Sequence, residues 1–163
     1  MSKTVSANAA AETLLGRRAY SARGLLDKLL EKGYSESESV KAVQRLMELG
    51  YLDDGEYARS LAASLTRRGY GARRVKQTLR AKGVDEETAA ETAEIDEDEE
   101  DQRIDRWLEK LTKGRLDDGG MLDAKEKSRL FAALLRRGFG SDAIRRGFRR
   151  FQDGDDDWGE DSL

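Results

Sequence analysis

Gly16-Arg17-Arg18-Ala19-Tyr20-Ser21-Ala22-Arg23 and Thr66-Arg67-Arg68-Gly69-Tyr70-Gly71-Ala72-Arg73 stand 50 residues apart, and their likeness decides the fold. Each opens a run that closes on a lysine and a glycine, Lys32-Gly33 in the first and Lys82-Gly83 in the second. Residues 16–40 and 66–90 agree at nine of 25 positions, where ordinary residue frequencies give roughly two. The shared residues are Arg17/Arg67, Arg18/Arg68, Tyr20/Tyr70, Ala22/Ala72, Arg23/Arg73, Leu29/Leu79, Lys32/Lys82, Gly33/Gly83 and Glu36/Glu86. A fainter third copy, Leu134-Leu135-Arg136-Arg137-Gly138-Phe139, follows 55 residues beyond the second. A period of this length marks one supersecondary unit used several times, each burying a face against its neighbours.

The unit reads as helical. Proline is absent from all 163 residues, which removes the strongest helix breaker. A short helix is expected over residues 12–18. Ser21 then caps a helix with Leu25, Leu26, Leu29 and Leu30 on one stripe, and Gly33 stops it. Ser35 and Glu38 make a capping box ahead of Val40, Val43, Leu46 and Met47, and Gly50 ends that helix. The second module repeats the scheme. Asp53 and Glu56 precede Tyr57, Leu61 and Leu65; Gly69 closes the helix; residues 72–82 carry Val75 and Leu79 inward; Asp85 caps an alanine-rich helix to Ala93. In the third, Ile104, Trp107, Leu108 and Leu111 follow helical spacing, and residues 113–122 read as a loop. Asp123 and Glu126 cap Leu130, Phe131, Leu134 and Leu135, and Ser141 caps Ile144, Phe148 and Phe151. The expectation is an all-α protein of three tandem three-helix repeats, 12–50, 51–95 and 96–152, in an elongated array, straight or curved. Residues 1–11 and the acidic tail 153–163 are expected to lie outside it, disordered.

Charged residues make up 39% of the chain, against a norm of about 25%. The net charge of −3 hides a separation. Residues 94–101 hold seven acids and 153–163 hold six, with no base in either. Setting those thirteen aside leaves twenty acids against thirty bases. A cationic body favours an anionic partner, nucleic acid or an acidic protein surface. The acidic runs either screen that body or aid solubility, and 94–101 is either a linker or the start of the next helix, where negative charge is favourable. Without cysteine or histidine, thiol chemistry and the usual neutral-pH base are excluded and only carboxylates remain as metal ligands. Asp53/Asp54 and Asp117/Asp118 are not framed as a metal or catalytic site. No cofactor, metal or enzyme site is read, and with no apolar run of membrane length a soluble cytoplasmic monomer is expected.

The candidate partner surface is basic. Arg67, Arg68, Arg73 and Arg74 flank a short glycine-containing turn; guanidinium groups and exposed amides there suit phosphate or carboxylate, while Gly69 and Gly71 equally serve a tight turn. Arg73, Lys76 and Arg80 share one helix face, and Lys82 follows. Arg136, Arg137, Arg145, Arg146, Arg149 and Arg150 lie in 130–151 beside a single acid, Asp142. Arg145/Arg149 and Arg146/Arg150 are repelling i, i+4 pairs, so a compensating partner is expected. Tyr20 and Tyr70 read either as hydrophobic staples or as stacking rings.

Glu48-Leu49-Gly50-Tyr51-Leu52-Asp53-Asp54, then Tyr57-Ala58, then Arg68-Gly69-Tyr70-Gly71-Ala72-Arg73-Arg74 and Leu79-Arg80-Ala81-Lys82-Gly83-Val84, resemble the signature of the RecX family, bacterial regulators of the RecA recombinase. The resemblance covers residues 12–151, most specifically 45–88. Ala72 stands where that family often has proline, and Tyr57 where phenylalanine is common. The resemblance implies tandem three-helix repeats and a protein that lies along the groove of the RecA–DNA filament. There it would hinder ATP hydrolysis, strand exchange and filament growth, in recombination and DNA repair. The basic faces of the second and third modules would be the contact surface. The alternative is a module that binds single- or double-stranded DNA directly.

Overall fold

The computed structural model describes residues 5–113 and 122–151. Nine helices lie among them, in three successive triplets: α1 (Ala7–Leu15), α2 (Ala22–Glu31) and α3 (Glu36–Glu48); α4 (Asp54–Arg67), α5 (Ala72–Ala81) and α6 (Glu86–Ala93); α7 (Glu97–Thr112), α8 (Ala124–Arg136) and α9 (Ser141–Phe151). They pack as two compact units. The described residues of the first are 5–65 and 76–93; those of the second are 66–75, 94–113 and 122–151. Of the middle triplet, α4 and α5 are thus divided between the units, α6 lies in the first, and the α4–α5 turn belongs to the second. The expected acidic tail and most of the expected loop 113–122 lie outside the described residues.

The caps follow from the sequence. Ser21 Oγ accepts from Gly24 N at 3.0 Å, and Ser35 with Glu38 closes a reciprocal capping box. Asp53, Asp85 and Asp123 each accept from the backbone N–H three residues on. Each such cap contributes about 1 kcal/mol. At α9 the cap position belongs to Gly140, whose carbonyl takes the first helical bond from Ile144 N, and Ser141 is the first helical residue.

Two expectations change. Residues 1–11 are not a structureless lead-in throughout: α1 starts at Ala7 behind the Ser6 cap and ends at Leu15. Ala7, Ala11 and Leu14 recur at helical spacing and are buried; alanine carries little hydropathic signal but fits a close helix contact. The apolar stripes are also narrower than expected. Leu25 and Leu29 are fully buried while Leu30 is 39% exposed, and Leu134 is fully buried while Leu135 is 39% exposed. Met47 likewise faces out, and on α4 the buried line runs through Ala58, Ala62 and Leu65. Helical periodicity admits both residues of an adjacent pair, and a thin three-helix unit covers only one.

The first unit's core joins Leu25, Leu29, Val43, Leu46 and Leu52 with the small residues Ala11 and Ala42. In the second, Ile104, Leu108, Leu134, Phe139, Ile144 and Phe148 form the centre. A Cβ on Gly147 would strike Ile104, so this glycine sets the closeness of α7 and α9.

Each unit contains the same joint, in which the turn after one repeat's first helix docks on the turn after the next repeat's second helix. In the first unit Ser21 Oγ donates to the Lys82 carbonyl, and a Cβ on Gly83 would lie 2.6 Å from Arg23 Cβ. In the second unit Gly71 N donates to Arg137 O at 2.9 Å and Arg73 N to Gly138 O at 3.1 Å. Gly71 and Gly138 meet backbone to backbone, and a Cβ on either would collide with the other turn. Gly83 and Gly138 also sit at φ +86° and +91°, a region that side-chain-bearing residues avoid. Of the residues shared between repeats, Arg23/Arg73 and Lys82-Gly83 sit at a joint, while Leu29 and Leu79 are fully buried.

Gly138→Ala should lower stability by about 3 kcal/mol or more, combining left-handed strain with collision against Arg74. Gly50→Ala, at φ +73° with nothing within 4 Å of the added carbon, should cost about 1 kcal/mol. Urea unfolding of the two variants checks the difference.

Candidate functional site

The second joint gathers arginines far apart in sequence. Arg67 and Arg68 end α4, Arg73 and Arg74 begin α5, and Arg136 and Arg137 close α8; the backbone bonds from Gly71 and Arg73 to residues 137 and 138 bring these turns together. Trp107 of α7 lies under them: its indole N–H donates to Gly69 O at 2.9 Å, and the Arg137 guanidinium sits 3.4 Å over its ring. Arg68 and Arg74 lie 5.5 and 6.0 Å from the Tyr70 ring centre. Such contacts hold a guanidinium in place for about 0.5–1 kcal/mol each at exposed sites. Arg67, Arg68, Arg73 and Arg136 are exposed, and among the described residues none has a carboxylate within ion-pair distance. The glycine amides are not part of an anion contact, since Gly71 N donates to Arg137 O and Gly69 N to Thr66 O.

The arginines of α9 have a different fate. Glu97, Asp101 and Asp105 recur every four residues along α7, and Arg146 and Arg150 do so along α9. Arg146 binds Asp101 through Nε and Nη2 at 3.4 and 3.0 Å and reaches Glu97 at 2.9 Å. Arg150 grips Asp105 through Nε and Nη2 at 3.2 and 2.8 Å and Asp101 through Nη1 at 2.7 Å. The hydrogen bond it donates to Asp101 raises the Arg146 guanidinium above its ordinary range, and that donated to Asp105 does the same for Arg150, each further out of reach of deprotonation. The repelling pair Arg146/Arg150 is thus compensated within the unit. The acidic run is the capped start of α7, with Asp96 as N-cap. Arg145 meets Asp142 at 3.4 Å, and Arg149 is exposed.

Lys76 and Arg80 belong to the first unit and share one carboxylate, Glu86, at 2.6 and 2.7 Å. The hydrogen bond from Lys76 holds the Glu86 carboxyl below its ordinary range, with Arg80 adding to it. Lys82 is exposed and contributes its carbonyl to the first joint. Beside that joint opens a recess of about 470 Å³ lined by Arg18, Tyr20, Arg23, Lys28, Tyr57 and Lys82 among others. Burial raises the Tyr57 phenol above its ordinary range, with nearby Arg18 opposing the shift. Arg18 sits 4.5 Å over Tyr20, as Arg68 does over Tyr70, so both tyrosines anchor guanidinium groups. The acidic pair Asp53/Asp54 is structural: Asp53 caps α4, and Asp54 Oδ1 accepts from Ala22 N at 2.7 Å, capping α2 across 32 residues. Asp117/Asp118 lies outside the described residues.

Sequence reasoning placed Trp107 in the apolar stripe and missed its place beneath the arginines; no pattern in the sequence pairs it with Gly69. The complementary spacing of Glu97, Asp101 and Asp105 with Arg146 and Arg150 was a readable signal.

Two family models match the chain: the first three-helix domain of RecX over residues 7–46 and the second over residues 53–92. Over 129 residues the chain is 36% identical to the regulatory protein RecX of Mycobacterium sp. (strain KMS), covering 77% of this chain and 70% of that protein. Over 140 residues it is 35% identical to the regulatory protein RecX of Chromobacterium violaceum, covering 86% of this chain and 87% of that one. A crystal structure of RecX from Lactobacillus salivarius has the same fold, with a TM-score of 0.76 at 22% identity over 88% of this chain and 93% of that one. Among the described residues no helix is long and apolar enough to cross a membrane.

Asp101→Asn, which weakens both arginine contacts of a partly buried carboxylate, should destabilise the protein by about 1–2 kcal/mol. Asp142→Asn, at an exposed single pair, should change stability by no more than about 0.5 kcal/mol. The Asp101 effect should shrink near 1 M salt, read by urea unfolding. The Glu86 pairing stabilises the fold above the ordinary glutamate range and is lost as pH falls through the lowered midpoint. Lys76→Met should return that midpoint toward the ordinary value in an NMR titration of the Glu86 carboxyl.

Proposed function

We propose that this chain, which belongs to the RecX family of regulatory proteins, binds the RecA–DNA filament and restrains its ATPase, strand exchange and growth. The observation that carries the reading is the arginine cluster at the second joint, where Arg67, Arg68, Arg73 and Arg136 stand exposed beside Arg137. A nucleoprotein filament offers carboxylates and phosphates together, and the planar guanidinium fork bonds either in a bidentate way. The protein acts by occupancy, with no catalytic step of its own. Binding that favours one state of the filament over the others slows its passage between states, which is sufficient to lower ATP turnover. Of the basic residues considered, Arg146 and Arg150 are held by α7 and Lys76 and Arg80 by Glu86. Arg67, Arg68, Arg73 and Arg136 at the joint, with Arg149 and Lys82, are the part left to a partner.

A direct nucleic-acid role rests on a narrower observation, the bracketing of Tyr70 by Arg68 and Arg74, which resembles a stacking platform. It predicts RecA-independent binding to single-stranded DNA, with log K falling steeply against log salt.

In the filament assay, substoichiometric protein should inhibit RecA ATPase on single-stranded DNA. The variant Arg67→Gln/Arg68→Gln/Arg73→Gln/Arg136→Gln should need about tenfold more protein or higher for the same inhibition, with an unchanged unfolding midpoint. Absence of inhibition by the wild-type chain, or equal inhibition by the variant, would sink the proposal. Strong salt-sensitive DNA binding without RecA effects would favour the second reading.

A further inference from the structure

The second unit treats its arginines unequally. On α9, Arg146 and Arg150 are answered by Glu97, Asp101 and Asp105 of α7, Arg145 meets Asp142 and Arg149 is exposed. Those at the turn joint, Arg67, Arg68, Arg73 and Arg136, meet no carboxylate among the described residues. The chain has a second acidic run, 153–163, with six acids, no base and Trp158 in their midst. Two acidic runs thus stand against two arginine sets, and one pairing is already made.

We propose that the arginine cluster at the second joint is an autoinhibitory docking surface for the chain's own acidic segment 153–163, which competes there with the anionic partner. The inference rests on the reading of that cluster as the partner surface. The tether permits it. Residues 152–163 follow directly on α9, which starts at Ser141, three residues past the Arg137–Gly138 turn. The eleven residues of α9 put its end about 16 Å from that turn. Of the residues that follow, Trp158 reaches about 24 Å and Asp161 about 34 Å from Phe151 when extended, both beyond the distance required. A linker this short holds its acids at an effective concentration on the order of millimolar, enough for weak charge pairing to compete. The chemistry fits as well. Guanidinium groups of the cluster already lie against aromatic faces, Arg137 on Trp107 and Arg68 and Arg74 at Tyr70. Trp158, flanked by Asp155-Asp156-Asp157 and Glu160-Asp161, offers a further ring with carboxylates on both sides. A partner of higher charge density displaces the segment, so weak and adventitious anions are rejected while a dense array is accepted.

The test uses the full-length chain and a full-length variant with Asp153, Asp155, Asp156 and Asp157 changed to Asn, Glu160 to Gln and Asp161 to Asn. The Nε–H resonances of Arg67, Arg68, Arg73 and Arg136 should differ between the two proteins at about 0.1 M salt. They should converge at about 1 M, where the Debye length is about 3 Å. Synthetic peptide 152–163 added to the variant should restore the wild-type positions. Inhibition of RecA ATPase by the variant should need about tenfold less protein. Identical arginine resonances in the two proteins overturn the proposal, whatever happens with RecA. So does a difference that vanishes on dilution, which would assign the segment to a second copy. If the resonances behave as expected but neither protein inhibits RecA, the autoinhibitory contact stands and the function proposed above fails.

Discussion

A carbonyl next to a left-handed glycine, met by the start of a helix from the preceding repeat, is the contact on which the rest of this structure depends. Lys82 and Arg137 supply that carbonyl, and Ser21 and Gly71 supply the donor. The last carbonyls of any helix lack intrahelical partners, and the glycine that follows lets another backbone come close enough to serve them. A single repeat of about 40 residues buries too little surface to be stable alone. Docking the turn of one repeat on the turn of the next, within one compact unit, extends the buried surface without lengthening any helix. Of the positions shared between repeats, Arg23/Arg73 and Lys82-Gly83 take part in this contact.

The same contact governs charge. Docking one arginine-flanked turn on another concentrates positive charge in a way no single helix would. The fold answers part of that positive charge internally. Asp101 and Asp105 neutralise Arg146 and Arg150, and Trp107 and Tyr70 seat Arg137, Arg68 and Arg74 by ring contacts that leave the charge in place. Among the described residues, Arg68 at Tyr70 and Arg137 at Trp107 are steadied by aromatic faces rather than by carboxylates. A ring contact of this kind steadies a guanidinium without neutralising its charge.

Much of this was legible in the chain before any coordinates. The 50-residue repeat, the absence of proline and the Ser and Asp caps are enough for an all-helical fold, and Ser21, Ser35, Asp53, Asp85 and Asp123 cap their helices as the spacing predicts, while Ser141 is itself helical. The family resemblance rested on the Leu52-Asp53-Asp54 and Arg68-Gly69-Tyr70-Gly71 stretches, which the structure explains as caps and joint. Less legible were the residues whose role is set by a neighbour distant in sequence. Leu30 and Leu135 sit in leucine pairs of which helical periodicity cannot choose the buried member. Ala7 and Ala11 bury themselves with almost no hydropathic signal. Asp54 looked like half of an acidic pair and is the cap of a helix 32 residues earlier.

Local chemistry is written residue by residue: where a helix can start, where it must stop, which face is apolar and what sign of charge each stretch carries. Those features follow from short-range hydrogen bonding and backbone sterics, so they survive in the linear chain. Which arginines stay available does not survive there. Arg146 and Arg136 are the same residue type in the same basic stretch, and one is held by Asp101 across 45 positions while the other is not. That distinction depends on which helices come to lie side by side, which packing settles because Coulomb and hydrogen-bond energies fall off within a few ångströms, irrespective of separation along the chain.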